Sequence, residues 1–86
     1  MKASHILVDT LEQAQKILSE ASASNFSTLA QQHSKCPSSA RGGDLGIFGP
    51  GQMVKPFEDA TVATAVGQIS QPVQTGFGYH LIHRTG

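Results

Sequence analysis

Five side chains of this sequence could carry proton, thiol or metal chemistry. They are the four histidines and the only cysteine: His5, His33, Cys36, His80 and His83. An imidazole changes charge near neutral pH, and a thiolate can act as a nucleophile. Each of these residues is therefore a candidate for a catalytic or metal-binding role.

A metal site is the first possibility that the spacing raises. His80 and His83 are three positions apart, which would place them on one face of a helix, but segment 79–83 has the pattern of a strand. In a strand an odd spacing puts the two rings on opposite faces of the sheet. There is also no Cys-x-x-Cys or His-Glu-x-x-His pattern, so the sequence predicts no metal and no other cofactor.

His5 and His80 form a second possible group. His5 begins the first predicted strand and His80 lies in the last one. If the two strands are neighbours, the rings can meet in the core, where one imidazole donates a hydrogen bond to the other. Such a pair could brace the sheet or take part in catalysis, and the residues by themselves favour bracing, because histidine has many structural uses.

Cys36 could be a nucleophile or a small buried apolar residue. Lys35 beside it and Arg41 further along would favour its thiolate form. A cysteine hydrolase also needs a group that orients its base, and an oxyanion hole. No pattern in the sequence identifies either one, so both interpretations remain open.

The glycine-rich segment Arg41–Gly46 superficially resembles a phosphate-binding loop. It lacks the GxxxxGK[ST] spacing and no long helix follows it, so we discount that function. Leu45, Met53 and Phe57 are more informative, because they flank a loop and could line a concave apolar patch. Taken one at a time, each is more often an ordinary core residue.

The first third of the chain contains neither glycine nor proline and predicts one strand and two helices. The apolar run at 5–8 predicts a buried strand. A capping-box pattern at 10–13 predicts a helix over about 11–22. Asn25 is the expected N-cap of a shorter helix that ends near His33.

The rest of the chain predicts a third helix and further strands. Residues 37–43 are either an irregular loop or a single helical turn. Pro56 suits the first position of the third helix, and Gly67 suits its C-terminal cap. Strands are predicted at 44–48, 72–75 and 79–83. The order β-α-α-turn-β-α-β-β favours an α+β domain with an antiparallel or mixed sheet.

Composition limits the classes of function. The 86 residues suffice for a single domain over positions 1–86. Six Lys and Arg balance six Asp and Glu, which leaves no basic excess for nucleic acid or for an anionic membrane. One cysteine forms no internal disulfide, and the polar N-terminus is not that of a secretory signal. We therefore expect a soluble monomer in the cytoplasm, with no nucleic-acid or membrane partner.

Five stretches of the sequence, in this order and with short connections, span nearly the whole chain. They are 4–8, 26–34, 41–48, 51–60 and 73–82. Together they resemble the parvulin family of peptidyl-prolyl cis–trans isomerases. The motif RGGDLG at 41–46 would be weak evidence by itself, whereas the ordered set is highly specific.

The resemblance implies a fold and an activity. The fold is a parvulin (FKBP-like) α+β domain, with a four-stranded antiparallel sheet surrounded by four helices in the order β-α-α-α-β-α-β-β. The activity is rotation about the peptide bond before proline in unfolded or flexible polypeptides. Amide resonance sets the barrier to this rotation, so lowering it requires no covalent step. A chaperone-like module that binds proline segments with little turnover is the alternative.

The resemblance also implies two groups of site residues. In the substrate-binding group, Leu45, Met53 and Phe57 form the pocket for the prolyl ring, and Gln52 and Phe77 flank the cleft. The catalytic group lies beside and behind the rotating bond: His5, Cys36, Thr75 and His80. In this interpretation Cys36 adjusts the polarity of the site rather than attacking the substrate.

One departure from the family concerns phosphorylated substrates. Parvulins that select phosphoserine or phosphothreonine before proline carry a basic cluster in an extended loop after the first strand. Here Val8, Asp9 and Thr10 lead directly into the first helix, and Asp9 would repel a phosphate. We therefore expect unmodified substrates, with an uncharged or apolar residue before the proline.

Overall fold

The computed structural model describes all residues from Met1 to Gly86. The strands are β1 (Lys2–Val8), β2 (Asp44–Ile47), β3 (Val73–Thr75) and β4 (Gly78–Arg84). The α-helices are α1 (Leu11–Glu20), α2 (Phe26–His33) and α3 (Lys55–Ala63), and Pro37–Arg41 form a 3₁₀ helix. Counting the 3₁₀ helix, the predicted order of strands and helices is confirmed. None of the helices has the length and apolar character needed to cross a lipid bilayer.

The four strands form one antiparallel sheet in the order β2-β1-β4-β3. The first and last long strands are therefore neighbours at its centre, although nearly the whole chain separates them. In their register His5 lies opposite Ile82, and Leu7 lies opposite His80. Because alternate residues share a face, this register brings His5, Leu7 and His80 to the same side of the sheet.

The two faces of the sheet bury different cores. One face packs against α1 and α2 through Ile6, Val8, Ala14, Ile17, Phe26, Leu29, Ala30 and Leu81. The other packs against α3 and the segment after β2 through Ala3, Phe48, Phe57 and Ile82. Alternate side chains of β1 and β4 thus point to opposite faces of the sheet. One face forms the core with α1 and α2, and the other holds the two histidines.

The N-terminal ends of α1 and α2 lie at the two predicted N-cap residues, Thr10 and Asn25. Thr10 and Gln13 form the predicted capping box, in which the Gln13 N–H donates to Thr10 Oγ1 at 3.2 Å. Asn25 is the N-cap residue of α2, as predicted, but its side chain makes no capping hydrogen bond. It closes the turn between the helices instead, accepting from the Ser22 N–H at 2.6 Å and donating to the Glu20 carbonyl at 2.8 Å.

Helix α3 is shorter than predicted. It begins at Lys55, so Pro56 is its second residue, and it ends at Ala63, well before Gly67. The C-terminal cap is supplied by tertiary structure, because Arg84 Nη1 donates to three carbonyls near the end of the helix. These carbonyls belong to Thr61, Val62 and Thr64, at 3.1–3.4 Å. Gly67 donates its N–H to the Arg84 carbonyl at 2.7 Å rather than ending the helix.

Candidate active site

The centre of the candidate site is a buried pair of imidazoles. His5 Nδ1 and His80 Nδ1 lie 3.0 Å apart. The ring centroids are 5.2 Å apart and the ring planes differ by 16°. The rings are almost fully enclosed, since His5 is 5% exposed and His80 is 4% exposed. The expected contact between these two histidines is therefore present.

Hydrogen bonds extend this pair at both ends. His5 Nε2 lies 3.2 Å from Ser38 Oγ, and His80 Nε2 lies 2.7 Å from Thr75 Oγ1. The Phe77 N–H also donates to Thr75 Oγ1, at 3.2 Å. The result is one chain of three side-chain hydrogen bonds that links β1, β4, the end of β3 and the 3₁₀ helix.

The two imidazoles are neutral near pH 7. Burial and the neighbouring His80 lower the pKa of His5 from 6.5 to about 4, and burial lowers the pKa of His80. Two cationic rings would also direct two N–H groups at each other across the Nδ1–Nδ1 contact. Since each neutral ring holds one N–H, all three hydrogen bonds run in one direction along the chain, either from Ser38 to Thr75 or in reverse.

Phe57 encloses the pair with apolar surface. Its ring centroid lies 5.5 Å from that of His5 and 5.2 Å from that of His80, and in each case the planes differ by 82°. This edge-to-face packing keeps water from both imidazoles and is consistent with the lowered pKa of each ring. Phe57 on α3 is thereby fixed in place by two residues of the sheet.

A cleft of about 450 Å³ opens beside these rings. Eight of the predicted site residues line it: His5, Cys36, Leu45, Gln52, Met53, Phe57, Phe77 and His80. The remaining one, Thr75, supports the cleft through its bond to His80. The structure thus brings together all nine predicted residues, while their individual roles stay predictions.

The geometry of the histidines limits what Cys36 can do. The ring nitrogens of His5 and His80 are all hydrogen-bonded to each other, to Ser38 or to Thr75. Neither ring therefore has a free nitrogen to act as the base for a thiol, which a Cys-His nucleophile requires. Cys36 is half-buried and lines the cleft as a small, weakly polar side chain.

The loop between β2 and α3 carries three cleft residues, Gln52, Met53 and Val54, and is braced by two side chains. Gln52 Oε1 accepts a hydrogen bond from the Gly49 N–H at 2.7 Å. Glu58 Oε1 accepts one from the Gly51 N–H at 2.7 Å. With its oxygen bonded within the loop, Gln52 retains its amide N–H groups as free donors.

The glycine-rich motif positions His5 rather than binding phosphate. Gly43 has a φ of +80° and donates its N–H to the Ser38 carbonyl at 2.9 Å. Its own carbonyl accepts from the His5 N–H at 2.9 Å. A Cβ at this position would overlap the His5 carbonyl oxygen, so only glycine fits. The motif therefore joins the 3₁₀ helix to β1 directly at the imidazole pair.

The other histidines lie elsewhere. His83 packs against Phe26, with ring centroids 5.4 Å apart, on the opposite face of the sheet from His80. His33 is exposed at the end of α2 and does not line the cleft. No group of three or more His, Cys, Asp or Glu side chains is arranged to hold a metal ion.

Several residues of the site were not predicted. Four further residues line the cleft: Leu7, Lys35, Pro37 and Val54. Leu7 could have been found, because it is two positions from His5 and so shares its face in a strand. Ser38 had no such signal, since Ser39 is equivalent to it in sequence and only the 3₁₀ turn decides which hydroxyl reaches His5.

The fold and the cleft together define a class of domain. It is an α+β domain with an apolar cleft supported by neutral imidazoles and without an activated nucleophile. The family model described as "Rotamase: PPIC-type PPIASE domain" matches residues 5–86. The chain belongs to this family of peptidyl-prolyl cis–trans isomerase domains, the parvulins, and the predicted family and fold are confirmed.

Individual relatives agree with this assignment. The chain is 51% identical over 87 residues to the foldase protein PrsA of Geobacillus sp. (strain WCH70), covering 99% of this chain and 32% of that protein. It is 52% identical over 80 residues to the peptidyl-prolyl cis-trans isomerase Pin1 of Digitalis lanata, covering 91% of this chain and 68% of that one. The solution structure of NmPin, the parvuline of Nitrosopumilus maritimus, matches with a TM-score of 0.87 at 44% identity, covering 100% and 95% of the two chains. The chain thus spans about a third of the length of the PrsA foldase.

Proposed function

We propose that this domain accelerates rotation about the peptide bond before proline in unfolded or flexible polypeptides, by a non-covalent mechanism. The observation that carries the proposal is the apolar cleft supported by a neutral, fully hydrogen-bonded histidine pair. Such a cleft can hold a prolyl ring, and it contains no group prepared for nucleophilic attack. Isomerisation about X-Pro is a reaction that needs no such group.

The physical basis of catalysis is the difference between planar and twisted amides. The uncatalysed rotation has a barrier of roughly 20 kcal/mol, which comes from the loss of amide resonance as the C–N bond twists. The planar amide has the greater charge separation, so transfer from water into an apolar cleft disfavours it relative to the twisted form. Leu45, Met53 and Phe57 provide apolar surface for the prolyl ring while the preceding carbonyl rotates.

Two polar side chains can interact with the rotating carbonyl. The Gln52 amide lines the cleft and keeps its N–H donors, and the Cys36 thiol lines it as a weak donor. Fixed donors that meet the carbonyl only after it has turned stabilise the transition state more than the ground state. In this mechanism the histidine pair holds the cleft in shape and donates no proton to the substrate.

The charge distribution supports substrates without phosphate. Asp9 follows β1 directly, and its carboxylate lies beside the only charged residue that lines the cleft, Lys35. A phosphate carries a charge of about −1.5 to −2 and is usually bound by several cationic groups. The cleft therefore favours an uncharged or apolar residue before the proline.

Exchange NMR on short X-Pro peptides tests this function. We expect catalytic amounts of the protein to accelerate cis–trans exchange, most strongly for apolar X, and phosphorylation of X to bring no gain. Chemical-shift changes on binding without faster exchange would instead identify a chaperone-like binding module, the alternative that the foldase name of the PrsA relative supports. A large rate gain on a phosphorylated peptide would contradict the proposed specificity.

We propose polypeptides as the partners of this domain, and neither nucleic acid nor membranes. The net charge of zero provides no electrostatic attraction to nucleic acid or to an anionic membrane. We propose that the domain acts as a monomer, which sedimentation equilibrium tests directly. The cytoplasmic location stays a prediction from cysteine usage.

A further inference from the structure

Lys35 is the only Lys, Arg, Asp or Glu among the residues that line the cleft. Its Nζ forms an ion pair with the carboxylate of Asp9, which lies just after β1. Both side chains are more than half exposed, at 56% for Lys35 and 57% for Asp9. The pair thus lies at the rim of the cleft, where a substrate residue adjacent to the proline would pass.

Main-chain hydrogen bonds fix this arrangement. The Lys35 N–H donates to the Leu7 carbonyl at 2.8 Å, and the Leu7 N–H donates to Ser34 Oγ at 3.0 Å. The segment around Lys35 therefore runs beside the end of β1. These hydrogen bonds to the main chain of Leu7 bring Lys35 next to Asp9, two residues further along. Cys36, the next residue, extends this segment along the wall of the cleft.

The ion pair with Asp9 neutralises the positive charge of Lys35, to which an acidic substrate residue would otherwise bind. With Asp9 present, Lys35 has a partner and the rim is neutral overall. Without it, the cleft would present a single ammonium group next to apolar surface, where a charge interacts more strongly than in bulk water. An acidic residue before proline must compete with Asp9 for Lys35 and is itself repelled by that carboxylate.

We propose that Asp9 is a specificity-determining residue, which withholds Lys35 from acidic residues preceding the substrate proline. Lys35 is correspondingly a cationic subsite that becomes available when Asp9 is neutral. This inference rests on the proposed function, because it assumes that the cleft receives an X-Pro segment. It goes beyond that function because it names the two residues that determine which charge the cleft accepts on the residue before proline.

The test compares two peptides that differ only in the charge of X, Ala-Glu-Pro-Phe and Ala-Gln-Pro-Phe, both with blocked ends. Their dissociation constants are measured by NMR titration of labelled protein at low salt. The variants are Asp9→Asn, Lys35→Met and the double variant. Asp59→Asn is the matched control, because Asp59 belongs to a second exposed ion pair, with Lys55, and lies outside the cleft.

We expect Asp9→Asn to raise the affinity for the Glu peptide relative to the Gln peptide by about two- to fivefold, the range of an exposed charge pair. The double variant should lose this gain. Asp59→Asn changes the net charge equally and should leave the ratio at the wild-type value. Added salt at about 0.5 M should suppress the gain, because it screens exposed charges.

Three results would overturn the inference. They are an unchanged ratio in Asp9→Asn, an equal rise in Asp59→Asn, and a rise that persists in the double variant. Failure of the Glu peptide to bind Asp9→Asn would also count against Lys35 as a subsite. The cis–trans exchange rate in the same samples reports on the proposed function separately, so binding with the predicted ratio but without acceleration would reject the isomerase alone.

Discussion

His5 and His80 share a hydrogen bond between their Nδ1 atoms although 75 positions separate them along the chain. The bond depends on the pairing of β1 with β4, and Ser38 and Thr75 continue it at its two ends. A buried polar network in which every member has a partner specifies one arrangement, because any displacement leaves a buried group unsatisfied. The pair therefore fixes the shape of the cleft.

The first prediction concerns pH and stability. The folded pKa of His5, about 4, lies below its ordinary value of 6.5, so between these values the unfolded chain binds a proton that the folded chain excludes. The contribution of His5 to the free energy of unfolding should therefore be greatest above pH 6.5. It should fall by about 3 kcal/mol as the pH falls toward 4. Urea denaturation at a series of pH values measures this dependence of the unfolding free energy on pH.

Nitrogen-15 NMR of the imidazole rings provides the residue-level control for this profile. The His5 ring should stay neutral until the pH approaches 4, and the His80 ring should also resist protonation, since burial lowers its pKa. Titration of His5 near its ordinary pKa in the folded protein would contradict the prediction. It would mean that the His5 ring accepts its second proton without cost to folding.

The second prediction tests the end of the hydrogen-bond chain. Thr75→Val removes the hydroxyl that bonds His80 Nε2 and that accepts from the Phe77 N–H. We expect a loss of about 1–3 kcal/mol in unfolding free energy, and a fall in kcat that exceeds the change in peptide affinity. Thr75→Ser is the matched control, because it keeps the hydroxyl. Equal behaviour of the two variants would show that the hydroxyl has no role.

The third prediction separates a polar role for Cys36 from a nucleophilic one. Cys36→Ser should keep kcat/KM within about tenfold of the wild type, because the mechanism forms no bond to sulfur. A loss of about a thousandfold or more, with the fold and peptide affinity intact, would instead indicate an essential nucleophile. Cis–trans exchange rates measured on one peptide with both proteins decide between the two results.

The fourth prediction concerns the close approach of Gly43 to His5. Gly43→Ala places a Cβ against the His5 carbonyl, so we expect destabilisation by several kcal/mol, or failure to fold. Gly46→Ala is the matched control, since its φ of +70° is similar and a Cβ there meets no atom within 4 Å. Its expected cost is about 1–2 kcal/mol, from backbone strain alone. Similar losses in the two variants, measured by thermal denaturation, would exclude a steric role for this contact.

The sequence by itself determined the elements whose signals are local. The capping box at Thr10 and Gln13 predicts the start of α1, because both partners lie within one helical turn. The alternation of β4 correctly separates His80 from His83, because side chains in a strand change face at each residue. The ordered motifs also sufficed to indicate the family and the nine residues that the structure brings together. Such features require no knowledge of distant parts of the chain.

Tertiary structure decided the features that depend on distant neighbours. Helix α3 ends at Ala63, and Arg84 of β4 bonds the carbonyls at that end, a contact that no local pattern encodes. The 3₁₀ turn selects Ser38 over Ser39 as the partner of His5. Only the packing beside β1 brings Lys35 to Asp9. The physical reason is the same in each case: a side chain's partner depends on which backbone segments lie beside it, and sheet pairing and packing determine that.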